Sequence, residues 1–115
     1  MNSKTRVQKG ADGEDTATQY LRFLGYNILH RNKRLSRYEV DIICADGDCL
    51  VFVEVKNSPA GSLGHPATWI DGRKQERLRA AAEIYIKENQ ITDMDIRFDA
   101  VTIYKGQIEH FKNAF

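Results

Sequence analysis

Three charged side chains, Asp41, Glu54 and Lys56, interrupt two otherwise strongly apolar stretches of the chain. Two carboxylates held side by side in a partly dry site repel each other, so one takes up a proton unless a cation compensates. Lys56 brings one positive charge, and a divalent ion would bring two. Hard oxygen ligands with no flanking His or Cys suit Mg²⁺ or Mn²⁺ better than zinc. The plainer alternative is a salt bridge from Lys56 to Glu54 or Asp41 at the end of a sheet, with no ion involved. Both readings require the three side chains to share one face, so the elements that carry them decide the matter.

Residues 38–45 and 49–56 are rich in Val, Ile and Phe and read as strands, joined through Asp46-Gly47-Asp48. Asp-Gly between apolar runs is among the strongest short hairpin signals. Side chains alternate faces along a strand, so Glu39 and Asp41 share a face, as do Glu54 and Lys56. A two-residue loop at Asp46-Gly47 sets Asp41 opposite Phe52 with Glu54 as its diagonal neighbour, whereas a loop at Gly47-Asp48 sets Asp41 directly opposite Glu54. Either register brings the carboxylates together, and a three-residue loop would need a bulge to do the same. The other face carries Val40, Ile42, Cys44, Val51, Val53 and Val55. Ile43, Leu50 and Phe52 are apolar on the carboxylate face too, so the hairpin is expected at the centre of a sheet covered on both sides.

Around it, Ala17, Tyr20, Leu21 and Leu24 recur at helical spacing and predict a helix over 10–24, closed by Gly25 as a left-handed cap. Residues 26–31 read as a modest strand, 31–37 as a basic connector, and 57–70, rich in Gly and Pro, as a long surface loop. Asp71 suits the N-cap of a second helix with Leu78, Ala81, Ala82 and Tyr85 as its buried stripe, ending near Asn89. Residues 96–104 and 107–111 form a last pair of strands around Lys105-Gly106. The order is α-β-β-β-α-β-β, an α/β arrangement in one domain spanning 1–115, with 1–9 expected to be flexible.

The 115 residues suffice for one core, and 42% hydrophobic with 29% charged residues is the balance of a globular domain rather than a disordered tail. No apolar run approaches the roughly 20 residues of a membrane span, and the polar N-terminus has no secretory h-region. The two cysteines fit no metal or disulfide framework, so a cytoplasmic setting without membrane contact is expected. The net charge of +1 decides nothing about partners, but its distribution is uneven. His30, Arg31, Lys33, Arg34 and Arg37 form one basic cluster, and Arg73, Lys74, Arg77 and Arg79 form another at the start of the second helix. Such clusters suit phosphate contacts, although charge runs are also ordinary solvated faces. Trp69 and His65 could stack on a base or simply anchor the loop. Cys44 and Cys49 flank the turn and read as a reduced, buried pair.

Asp41, followed by Glu54-Val55-Lys56, resembles the D…(D/E)-x-K signature of the PD-(D/E)xK nuclease superfamily. A longer series is more specific: Gly10-Ala-Asp-Gly-Glu14, Ala17, Tyr20-Leu21, Gly25-Tyr26, Ile28-Leu29, Glu39-Val-Asp41, Leu50 to Lys56, Lys74 and Phe98-Asp99-Ala100-Val101. In order and spacing it resembles the YraN-like family of small uncharacterised bacterial proteins. The resemblance implies a restriction-endonuclease-like fold, a mixed sheet of about five strands flanked by helices, with kinship to archaeal Holliday-junction resolvases. It also implies a glutamate of the first helix, here Glu14, beside the metal-binding acids and lysine at Asp41, Glu54 and Lys56. Val40 replaces the superfamily's proline, Tyr38 stands where the family has glycine, and Asn57-Ser58 lacks an arginine found after the lysine.

The expectation is a metal-dependent nuclease acting on DNA, on branched or damaged structures. Asp41, Glu54 and the Val55 carbonyl would hold Mg²⁺ or Mn²⁺, Lys56 would position or deprotonate the attacking water, and Glu14 would assist. Lys74, Arg31, Lys33, Arg34 and Arg77 are the candidate nucleic-acid contacts, with Lys74 foremost. The alternatives are a nucleic-acid-binding or protein-interaction module that keeps the fold without turnover. The oligomeric state stays open, a homodimer included.

Overall fold

In a computed structural model, which describes residues 6–58 and 64–115, the elements are α1 (Arg6–Phe23), β1 (Asn27–Leu35), β2 (Tyr38–Asp46), β3 (Cys49–Asn57), a 3₁₀ turn (Pro66–Thr68), α2 (Gly72–Glu88), β4 (Asp95–Tyr104) and β5 (Gln107–Phe111). The strands form one five-stranded sheet in the order β1-β2-β3-β4-β5. All neighbours are antiparallel except β3 and β4, which are parallel and joined through α2. This is the expected α/β order with a mixed sheet.

The two helices cover opposite faces. Ala17 and Leu21 of α1 pack on Ile42, Cys44, Val51 and Val53. Leu78, Ala81, Ala82 and Tyr85 of α2 pack on Ile43, Leu50 and Phe52. The ends of α2 follow local rules: the Asp71 carboxylate accepts the Lys74 N–H at 2.9 Å, and Asn89 closes the last turn by donating its side-chain amide to the Tyr85 carbonyl. α1 ends in a Schellman motif, with Gly25 at φ +93° and the Tyr26 N–H reaching back to the Leu21 carbonyl.

Four expectations need correction. α1 begins at Arg6, before Gly10. Leu24 is the residue just past the helix and is 43% exposed, so it is not part of the buried stripe. The basic stretch 31–37 is mostly strand: β1 continues to Leu35 and reverses through Ser36-Arg37 into β2. Charged residues break the period-2 signal there, yet an edge strand tolerates them and is protected by them against further pairing. Finally, 57–70 is more ordered at its described ends than a free loop. The Ser58 N–H donates to the Ile103 carbonyl, the 3₁₀ turn is tied by Thr68 to the His65 carbonyl, and Trp69 donates to the Gly64 carbonyl. Residues 59–63 of that segment, and 1–5 of the predicted flexible N-terminus, lie outside the described residues.

Candidate functional site

Asp46 pairs with Cys49, so the hairpin loop is Gly47-Asp48. Gly47 takes φ +58° at the first central position, where a II′-type turn needs it. Of the two expected two-residue registers, the structure adopts the one that sets Asp41 opposite Glu54. The β2–β3 ladder runs back only as far as Ile42–Val53. One step beyond, the Asp41 carboxylate replaces the main chain as partner and accepts the Val55 N–H at 2.8 Å.

The strand also turns at this point. Val40 packs with Leu35 into the cluster under α2, whereas Ile42 packs into the cluster under α1. Residues two apart in a regular strand share a face, so the expectation that Val40 and Ile42 lie together fails. Across the β1–β2 ladder, Asn32 lies between the partners of Ile42 and Val40 and has φ +49°, so both strands bend at one level. The bend leaves the Asp41 carboxylate within electrostatic reach of both helices, of Glu14 on α1 and of Lys74 on α2.

Glu14 lies where α1 passes close to the end of β3. A Cβ on the neighbouring Gly13 would meet the end of the Asn57 side chain, which would have to shift. Arg31 and a hydrogen bond from Asn32 counter the charge of Glu14, but burial outweighs them and pushes its carboxyl up. Its Oε1 is buried and has no hydrogen-bond partner.

Glu54 is countered by Lys74, whose Nζ lies 2.8 Å from Oε2. Lys56, expected in that role, is exposed and lines the same groove as Glu54. Asp41 is pushed up to about 7, first by burial and then by the Glu54 carboxylate. The Val55 N–H and Lys74 oppose the rise, and Glu14 adds to it. The Glu54 carboxylate thus raises Asp41 as the sequence anticipated, and the Lys74 ammonium opposes that rise.

A groove of about 490 Å³ opens beside this cluster, lined by Glu54, Lys56, Trp69, Arg73, Lys74 and Arg77 among others. A second, of about 800 Å³, shares Arg73, Lys74 and Arg77 and continues along α2 to Arg37, Tyr38 and Glu39. Arg73, Lys74 and Arg77 of the α2 basic cluster thus share a groove with Glu54. Arg31 instead pairs with Asp15 of α1 at 2.6 Å, and Lys33 and Arg34 lie along the edge strand β1, outside both linings. Trp69 is half-buried against the cluster of Ile70, Ala100 and Ala114, so it is an anchor that also forms groove wall.

Among the described residues no three His, Cys, Asp or Glu side chains form a cage for a metal ion. The donor set present is two adjacent carboxylates, with the unpartnered Glu14 oxygen close by. That suits a hard cation such as Mg²⁺, which is held by one or two carboxylates and keeps several waters; it does not suit zinc.

A second charged cluster, on the α1 face, was not anticipated. Asp99 is fully buried and receives Arg97 at 2.8 and 2.9 Å, the His110 ring at 2.8 Å and the Asn113 N–H at 3.0 Å. Burial alone would push its carboxyl up, but these partners hold it below the usual range. Arg97 also reaches Asp46 and the Tyr26 hydroxyl, and Tyr20 bonds to His110. The Asp of Phe98-Asp99-Ala100-Val101 is thus a structural hub tying β4, β5, the β2–β3 turn and α1.

Fold and site together define an α/β protein whose mixed sheet holds a pair of adjacent carboxylates, one of which, Glu54, is countered by a lysine and lines a basic groove. The chain belongs to the uncharacterised protein family UPF0102, whose model matches residues 13–103; this is the family that the YraN-like resemblance indicated. It is 46% identical over 112 residues to a UPF0102 protein of Rhodococcus opacus, covering 92% of this chain and 94% of that one. It is 40% identical over 107 residues to one of Persephonella marina, covering 93% and 92%. A relative in Dictyoglomus turgidum is 39% identical over 121 residues, covering both chains completely. Among the described residues no helix is long and apolar enough to cross a membrane.

Proposed function

We propose that the protein is a divalent-cation-dependent nuclease of the PD-(D/E)xK type, cleaving phosphodiester bonds in DNA. The observation that carries this reading is the meeting of Asp41 and Glu54 on adjacent strands, with Glu54 in the wall of a groove that it shares with Lys56, Arg73, Lys74 and Arg77. Asp41, Glu54 and the Val55 carbonyl would hold Mg²⁺ or Mn²⁺, which when bound serves as Lewis acid and offsets phosphate charge. The Val55 N–H fixes the orientation of Asp41. Lys56, two residues from Glu54 on the same strand, would orient the attacking water or take its proton. Glu14 supplies a third acid on the α1 side. Lys74, Arg73, Arg77 and Arg37 offer phosphate contacts, which give affinity without sequence specificity.

One observation favours a second reading, a nucleic-acid-binding module without turnover: Lys74 already neutralises Glu54. Incubation with branched, single-stranded and duplex DNA in Mg²⁺ or Mn²⁺ separates the two, with Asp41→Asn and Glu54→Gln as controls. Cleavage by the wild type and not by the variants is expected. Gel-shift binding without cleavage would replace the nuclease by the binding module. Cleavage that survives both substitutions would remove the site.

A further inference from the structure

The Lys74–Glu54 ion pair stands at the place where the proposed site needs a cation. We infer that Lys74 is an internal counter-ion which a divalent cation displaces from Glu54, and that the released ammonium then contacts a phosphate of the nucleic acid in the groove. This rests on the cation site proposed above and adds an order to it: cation before nucleic acid.

Three observations carry the inference. First, the pair is asymmetric: the Glu54 side chain is 13% exposed and that of Lys74 46%. The acid is fixed in the sheet, while the ammonium reaches it from the groove. Second, the main chain of Lys74 is pinned independently of its side chain, because its N–H is bound by the Asp71 carboxylate at 2.9 Å. The flexible four-carbon stem can therefore swing without disturbing α2. Third, a divalent ion takes over the charge that Lys74 supplies. Asp41 and Glu54 ionised carry two negative charges, which a divalent ion neutralises. An ammonium retained beside Glu54 would then face that ion as a like charge in a partly dry site, with Glu14 on the far, α1 side as the further acid near Asp41. Released, Lys74 joins Lys56, Arg73 and Arg77 on the groove wall, where a phosphate is the complementary partner.

The test is calorimetric titration of the full chain with Mn²⁺ alone, in the absence of nucleic acid, comparing wild type with Lys74→Met, Lys74→Gln and Lys74→Arg. A partly exposed ion pair of this kind competes by a few-fold, so the neutral variants should bind Mn²⁺ roughly fivefold more tightly than wild type. Lys74→Arg should stay near the wild-type affinity. The exposed ammonium and the main-chain cap make all three variants tolerable, and their thermal melts verify folding. Equal or weaker Mn²⁺ binding by both neutral variants overturns the inference while leaving the cation site standing. Absence of Mn²⁺ binding in every protein, wild type included, removes the site and the inference with it. The second half is read by fluorescence anisotropy of a labelled single-stranded DNA with and without Ca²⁺ as a hard divalent probe. Ca²⁺ should tighten binding by the wild type several-fold more than by Lys74→Met, and equal tightening in the two would show that the freed ammonium meets no phosphate.

Discussion

Asp41→Asn is the sharpest single test of the site, because it changes one charge and almost no shape. The amide oxygen can still accept the Val55 N–H that Asp41 accepts at 2.8 Å. Asp41 has an ordinary value of 3.8 and is pushed up to about 7 in the folded protein, so folding favours its neutral form. A carboxyl raised in this way contributes stability that is fully present below its unfolded value and is lost as pH rises through its folded value. At about 1.4 kcal/mol for each tenfold difference in proton affinity, ionised Asp41 costs the fold about 4 kcal/mol at most near pH 8. Most of that cost accrues above pH 5. Asparagine never incurs it. Asp41→Asn should therefore be more stable than wild type at pH 8, and its advantage should shrink by about 2 to 3 kcal/mol at pH 5. Every other titrating group is present in both proteins, so the difference reports Asp41 together with its interactions with Glu54, Glu14 and Lys74. Urea denaturation of both proteins at the two pH values measures it. A gap independent of pH would refute the electrostatic account. A variant less stable than wild type at pH 8 would mean that Asp41 is a favourable partner of a lysine, as in the plain salt-bridge reading.

If a divalent ion binds there, millimolar Mg²⁺ or Mn²⁺ should raise the melting temperature of the wild type, by the equivalent of about 2.7 kcal/mol at a hundredfold excess over Kd, and leave Asp41→Asn unmoved; equal responses in the two would exclude Asp41 as a ligand. Asp99→Asn should destabilise by about 3 kcal/mol at neutral pH because it leaves Arg97 without its buried counter-charge. Asp99 is held below its usual range, so its contribution is present above pH about 4 and fades as pH falls further; melts at pH 7 and in acid should show the gap between wild type and variant narrowing. Asp71→Ala removes the cap that binds the Lys74 N–H and should cost about 1 kcal/mol by denaturant titration.

The parts of this molecule visible in its sequence are those governed by neighbours along the chain. The Asp-Gly turn and the alternating Val and Ile residues announce β2 and β3, and Asp71 with the stripe Leu78, Ala81, Ala82 and Tyr85 delimits α2 at both ends. β1 is obscured because its basic residues erase the alternation, and only its position at the sheet edge makes a strand of them acceptable. The bend at Asp41 is obscured for a different reason: it requires Asn32 of the neighbouring strand at φ +49°, a conformation that no residue near Asp41 in the chain signals. The Asp99 hub joins Tyr26, Asp46, Arg97 and His110 across most of the chain's length, a convergence that only the finished sheet produces.

The same distinction separates the acids of the site from their counter-charge. Asp41 and Glu54 are legible because a hairpin is a local object: once the turn is recognised, its register pairs them. A counter-charge has no such constraint. It can come from any element that reaches the face, and a strand lysine two residues from Glu54 is only the nearest candidate in sequence. The structure draws it instead from the first turn of α2, whose position over the sheet is set by Leu78, Ala81 and Ala82 packing on Leu50 and Phe52. The main chain of Lys74 is held by the helix cap while its half-exposed ammonium pairs with Glu54, which is the arrangement that the proposed exchange with a divalent cation requires. Lys56, exposed on β3, lines the same groove as Glu54 without being its counter-charge.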